Sequence, residues 1–244
     1  MSKKISIVAV IITVYIFAGL FYLFVQHDTE DVIEVVKTVN KPIVSWQKIT
    51  ITEEEKNSLI SMTVPRVIIY SNYDLGGRVN KAIMQYIESL KNDFIFSVST
   101  AAEDNGETNT LNLDTEVLLI TPRLISLAFT ASEHLAGTQD NNPERTFLVF
   151  DLKNGELIVE GNELFRDDLA WSKAVKAIKI SLLSKYQGNP NCDLFFAPKY
   201  KGFAASCIGV DWSRGGKHLS ITGDISMSMI QEFLAPSVLS DIIQ

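Results

Sequence analysis

The sequence predicts an α+β fold: an antiparallel sheet packed against two amphipathic helices, preceded by one transmembrane helix. Three observations carry this. Strand-like segments come in pairs joined by short turns, which favours hairpins over a doubly wound parallel sheet. Two segments repeat apolar residues at three and four positions, the period of a one-sided helix. Residues 5–25 contain no charge at all.

That uncharged run is about 30 Å long as a helix, the thickness of a hydrocarbon core. Lys3 and Lys4 precede it, and Asp28, Glu30 and Asp31 follow it. Positive residues stay on the cytoplasmic side, so a single pass through the cell membrane with the N-terminus inside is expected, and the bulk of the chain is expected outside the cytoplasm. The competing reading is a cleaved signal peptide. The run is longer than a signal core, and no Ala-x-Ala pattern or lipoprotein Cys follows it, so an uncleaved signal anchor is preferred. Residues 1–25 thus read as a cytoplasmic stub and anchor, 26–45 as a stalk, and 46–244 as the extracytoplasmic domain. That last segment reads as one well-packed domain or as two closely joined subdomains with their boundary near 105–122.

The chain carries a formal net charge of −7, with Lys3 and Lys4 the only charges before residue 26. The remainder is therefore more acidic by two. Such a surface disfavours nucleic acid and anionic lipid, and it suits a cationic partner.

Strands are expected at 46–51 and 59–70. A helix follows from about residue 77 or 78 to 98, with Val79, Ile83, Tyr86, Ile87, Leu90, Phe94 and Val98 on one stripe. Residues 111–120 and 124–131 read as a hairpin through Thr121-Pro122-Arg123. Residues 146–152 and 157–159 form another, through Lys153-Asn154-Gly155-Glu156. The second helix is expected over 167–185, with Leu169, Val175, Ile178, Leu182 and Leu183 facing the core. Strands at 203–210 and 219–225 flank a Gly-rich loop, and a broken helix at 228–243 closes the chain.

The chemistry is sparse. His27, His134 and His218 are the only histidines, and no two stand at metal-ligand spacing. There is no His-Glu-x-x-His, no Cys-x-x-Cys, no nucleophile elbow and no phosphate loop. No metal or other cofactor is expected, and no catalytic residue can be named. Two polar loops remain as candidate binding elements, because loops on a rigid sheet are where binding residues concentrate. The first, 133–145, carries Glu133, His134, Gln139, Asp140 and Glu144. Its carboxylates suit a basic protein. The second, 213–217, carries Arg214 and Lys217 around two glycines. It reads as a plain hairpin loop or as a nest for an anion. Cys192 and Cys207, 15 residues apart on the oxidising side, are either a disulfide or two small buried residues.

Several short segments resemble a bacterial envelope family. They are Leu124-Ile125-Ser126-Leu127, the run from Phe150 through Asp151-Leu152-Lys153-Asn154-Gly155 to Glu156, and Glu163-Leu164-Phe165. Val64-Pro65, Val79-Asn80-Lys81-Ala82-Ile83 and the run from Gly215 through His218 to Ile221 add to them. The resemblance is to the paired domains of unknown function in the RsiV-like lysozyme-sensing anti-sigma factors, which also precede the catalytic domain of PdaC-like peptidoglycan deacetylases. It covers most of residues 49–240. The family's Gly-Gly-Ala-His loop is Ala136-Gly137-Thr138-Gln139 here, so Gln139 stands at the family's His position. No stretch resembles a deacetylase domain, and four residues before the apolar run leave no sigma-binding segment to expect. The resemblance implies location and fold better than activity. It makes a non-catalytic module for binding or sensing the first expectation, with a ligand that is peptidoglycan or a basic protein such as lysozyme. A cell-wall-modifying enzyme or its accessory subunit, and a membrane assembly factor, are the alternatives.

Overall fold

A computed structural model of the chain describes residues 43–53, 57–100, 107–137, 143–158, 161–184, 186, 190–211 and 217–243, with backbone alone at 46–53 and 217. The expected transmembrane helix lies outside these residues. Among the described ones, no helix is long and apolar enough to cross a membrane.

The architecture is α+β, with a six-stranded and a three-stranded sheet. β1 (Ile43–Glu53) and β2 (Ser58–Ile68) form an antiparallel pair, with Ile43 opposite Ile68 and Glu53 opposite Ser58. β1 thus starts inside the segment expected to be stalk. Helix α1 (Tyr73–Thr100) follows and has 28 residues. At about 1.5 Å per residue it is about 42 Å long, enough to carry the chain back along the whole of β2. Strand β3 (Asn109–Ile120) therefore starts beside the start of β2 and runs parallel to it, Ser58 opposite Asn109. This one parallel ladder corrects the wholly antiparallel sheet expected from sequence, since a helical crossover permits parallel pairing.

Helix α1 begins four residues or more before its expected start because Asn72 caps it. The Leu75 N–H donates to Asn72 Oδ1 at 3.1 Å. Gly76 reads as a turn residue in sequence but lies within the helix. A Cβ there would stand 3.4 Å from the Val67 carbonyl oxygen, so the glycine permits close approach. One turn on, Asn80 binds the β2 backbone twice: Val67 N–H donates to its Oδ1 and its Nδ2 donates to Val67 O, both at 2.8 Å. The expected stripe is in place. Val79, Ile83, Ile87 and Phe94 are buried against Ile60, Leu113, Leu127, Phe129 and Phe150.

β4 (Leu124–His134), β5 (Glu144–Asp151) and β6 (Glu156–Leu157) complete the first sheet by antiparallel pairing. Thr121 closes the β3–β4 turn, its Oγ1 accepting from Leu124 N–H at 2.8 Å. Gly155 closes the β5–β6 turn with φ at 73°, and a Cβ there would meet Leu75 Cδ1 at 2.5 Å. The left-handed φ is what favours glycine at this position.

The change of sheet falls after Leu157. Helix α2 (Asp168–Leu183) is capped by Asp167, which accepts from Ala170 N–H at 2.7 Å. The second sheet is β7 (Asn191–Lys199), β8 (Gly202–Asp211) and β9 (Lys217–Ser226), antiparallel throughout. Short helices α3 (Met227–Ile230) and α4 (Pro236–Ile243) end the fold. Two departures from expectation occur here. β7 has no counterpart in the sequence reading. Helix α2 buries Ala170, Ala174, Ile178 and Leu182, while Leu169 is 64% exposed. The helix lies close to the sheet, and alanine, not leucine, fits the closest line of approach. Cys192 and Cys207 join β7 to β8 as a disulfide, with Cα atoms 5.5 Å apart.

Candidate functional site

Strand direction sorts the connections into two ends. Ile43, Ile68, the β3–β4 turn and the β5–β6 turn share one end of the first sheet. The β1–β2 connection, the start of β3, the end of β4 and the start of β5 share the other. At about 3.3 Å per residue, an 11-residue strand separates the two ends by about 33 Å.

The end away from Ile43 holds the first candidate loop, since β4 finishes at His134 and β5 starts at Glu144. β6 covers only Phe150 and Asp151, so the first half of β5 has no ladder partner on that side among the described residues. The start of β9 stands there. His218 Nε2 meets Glu144 Oε1 at 2.8 Å, and Ser220 Oγ donates to the Pro143 carbonyl at 2.8 Å. Deeper in, Ser206 Oγ of β8 donates to the Arg145 carbonyl. β8 and β9 remain paired up to Asp211 and Lys217, so residues 212–216 connect a hairpin. The roots of both candidate loops are therefore brought together. Gln139, Asp140 and Arg214 lie outside the described residues, as does the side chain of Lys217.

Alternation along β4 places Glu133 on the face of Phe129 and Ala131, toward helix α1. Its carboxyl is half-buried and held above the ordinary glutamate value, first by desolvation, then by Glu144 and by Asp93 of α1. On the same face, the Tyr86 hydroxyl bonds Thr146 Oγ1 and the ring packs on Phe129 at 5.0 Å. Burial pushes the Tyr86 hydroxyl up, the bond to Thr146 opposes this, and Glu144 adds to it. His134, the last residue of β4, stands opposite Thr110 of β3. Glu133, Glu144 and Asp93 thus gather negative charge at this end, with the His218 imidazole against Glu144. Sequence reasoning missed Asp93 and His218 as members. Asp93 is separated from the loop by 40 residues and shows only as a polar neighbour of the α1 stripe. His218 sits directly after the Gly-rich loop, which was the available signal.

Arg145 points to the other face of β5. It binds Glu116 of β3 at 2.6 Å, and Lys199 binds Asp224 at 2.6 Å close by. With Tyr200 these four line an open cleft of ≈ 200 Å³. At the Ile43 end, a cleft of ≈ 110 Å³ is lined by Arg123, Asp151, Asn154, Glu163 and Val238 among others. Asp241 of α4 lies near it. Desolvation raises its carboxyl, Arg123 draws it down, and Asp151 raises it further. Among the described residues, no three His, Cys, Asp or Glu side chains converge as metal ligands.

No family model and no curated protein matches the sequence. Six solved chains do match. A member of the DUF3298 family from Bacteroides fragilis NCTC 9343 is similar at a TM-score of 0.51 and 13% identity, over 84% of this chain and 99% of that one. A DUF3298 family protein from Pseudomonas aeruginosa PAO1 gives a TM-score of 0.47 and 12% identity, over 82% and 97%. The likeness to the first is one of fold, to a domain family of unknown function.

Proposed function

We propose that the chain is a membrane-anchored, non-catalytic binding module of the cell envelope, and that it takes a basic protein at the end away from Ile43. One observation carries this reading: the Glu144–His218 contact joins the roots of two polar loops beside two further carboxylates, Glu133 and Asp93. Several features support it. The uncharged run at 5–25 with Lys3 and Lys4 before it fits an anchor with the N-terminus inside. The loop roots stand together at the end of the first sheet about 33 Å from Ile43. The half-buried Glu133 carboxylate, repelled by Glu144 and Asp93, gains from an incoming cation, which relieves that repulsion.

Lysozyme is the natural probe for a basic protein, and soluble peptidoglycan fragments are the contrasting one. Full-length chain in detergent micelles should bind lysozyme at micromolar concentration. Charge reversal of Asp140 and Glu144 should weaken this chiefly through the on-rate, and more at low salt. Replacing Arg214 and Lys217 with Ala should leave lysozyme binding intact. If the wild-type chain ignores lysozyme, or the reversal changes nothing, the reading is wrong. Binding of wall fragments alone, lost with Arg214 and Lys217, would make peptidoglycan the ligand.

A further inference from the structure

Two irregularities of the backbone meet at one place. Strand β3 is bulged between Val117 and Leu119. The Leu118 carbonyl, inside that bulge, accepts from the Tyr200 N–H at 3.3 Å. Tyr200 and Lys201 form the two-residue turn between β7 and β8. Lys201 holds φ at 61°, a left-handed conformation that glycine or asparagine adopts more readily. Its ammonium sits over the Tyr200 ring, 4.9 Å from the centroid. Tyr200 is thus fixed by its backbone and by its neighbour, yet it is 54% exposed. An exposed aromatic side chain already held in place has less freedom to lose on binding.

Tyr200 lines the open cleft of ≈ 200 Å³ together with two ion pairs, Arg145–Glu116 and Lys199–Asp224, each at 2.6 Å. Both carboxylates are 65% exposed, so each keeps lone pairs for a ligand. The four charges cancel. An anion would be repelled by Glu116 and Asp224, and a cation by Arg145 and Lys199, so neither sign is favoured. A wholly apolar ligand would leave these charged groups without partners. The occupant that fits is neutral, rich in hydroxyls and apolar on one face. A sugar ring has these properties. Its adjacent hydroxyls bond to carboxylate, guanidinium and ammonium groups, and its C–H face packs on an aromatic ring. We infer that the cleft between β3, β5 and the β7–β8 turn binds a neutral oligosaccharide, with one sugar ring against Tyr200. Further units have polar partners along β3. Asp114 and Asn112, two and four residues before Glu116, are exposed on the same face of the strand. Thr130 of β4 stands opposite Asp114 and next to Arg145 of β5. This face of the sheet is the one turned away from Glu133 and helix α1, so the inference is independent of the basic-protein reading.

The test titrates the full chain with cellotetraose and with tetra-N-acetylchitotetraose, followed by saturation-transfer NMR. The chain is held in phosphocholine micelles, because a maltoside detergent would itself compete. At least one tetrasaccharide should bind saturably at millimolar concentration. Tyr200→Ala should weaken that binding at least fivefold, while Tyr200→Phe, which keeps the ring, should stay within twofold of wild type. Asp224→Asn should weaken it at least threefold, independently of the ring. Both Tyr200 and the Asp224 carboxylate are largely exposed, so melting temperatures should match the wild type. Inorganic phosphate should not displace the sugar. If neither tetrasaccharide binds, or binding survives Tyr200→Ala, the inference is wrong. Loss of binding in Tyr200→Phe as complete as in Tyr200→Ala, unchanged affinity in Asp224→Asn, or displacement by phosphate also overturns it. None of these outcomes bears on lysozyme binding, which is measured separately and involves the other face.

Discussion

The Glu144 carboxylate and the His218 imidazole meet at 2.8 Å across the seam between the two sheets, at the start of β5 and the start of β9. They form an ion pair whenever His218 carries its proton. Both side chains are partly exposed, so the coupling should be small. A double-mutant cycle with Glu144→Gln and His218→Ala should give about 0.2–1 kcal/mol at pH 6. Zero coupling by urea unfolding would mean that the pair does not hold the seam.

Glu133 gives a pH signature with a definite sign. Its folded-state pKa is raised by desolvation, Glu144 and Asp93 above the ordinary 4.5. A raised carboxyl contributes stability below its unfolded value and loses it as pH rises through the folded value. Glu133→Gln should therefore raise the melting temperature at pH 7. It should have no effect below about pH 4, where both forms are neutral. Equal melting curves at pH 7 would show that the carboxyl is relaxed.

Asn80 should be costly to remove. Asn80→Ala strips partners from both the N–H and the carbonyl of Val67. Leaving such groups unmet costs about 1–3 kcal/mol each. Asn80→Asp keeps only the acceptor and should fall between, as read from chemical denaturation.

The cystine closes a loop of 15 residues. The chain-entropy account gives about 3 kcal/mol for it. Unfolding in urea with and without reductant should differ by about that amount, and alkylation of denatured, unreduced protein should find no free thiol.

The register of α2 can be checked by contrast. Ile178→Ala should cost about 2–5 kcal/mol, as a fully buried side chain does. Leu169→Ala should stay within about 0.5 kcal/mol, because Leu169 faces solvent.

That contrast shows where the sequence was legible. The α1 stripe was read correctly because it is long and its buried positions are the most apolar ones. In α2 the buried line runs through Ala170 and Ala174, and a hydrophobicity pattern prefers Leu169. Close packing chose the small residues, and periodicity does not register closeness. β7 escaped because Leu194, Phe195, Phe196 and Ala197 form a run without alternation, followed by Pro198. The hairpin turns at Thr121 and Gly155 were legible, since turn chemistry is local. The meeting of Glu144 with His218 was not. It depends on how two sheets pack, across 74 positions of chain.

The parallel ladder between β2 and β3 has a kinetic consequence. Ser58 and Asn109 become neighbours only after a whole helix has formed and folded back between them. That closure costs entropy before any strand contact rewards it. The β8–β9 hairpin, by contrast, joins Asp211 to Lys217 across a few residues. Refolding should therefore proceed in unequal steps, with amides of β8 protected from hydrogen exchange before those β2 amides that bond to β3.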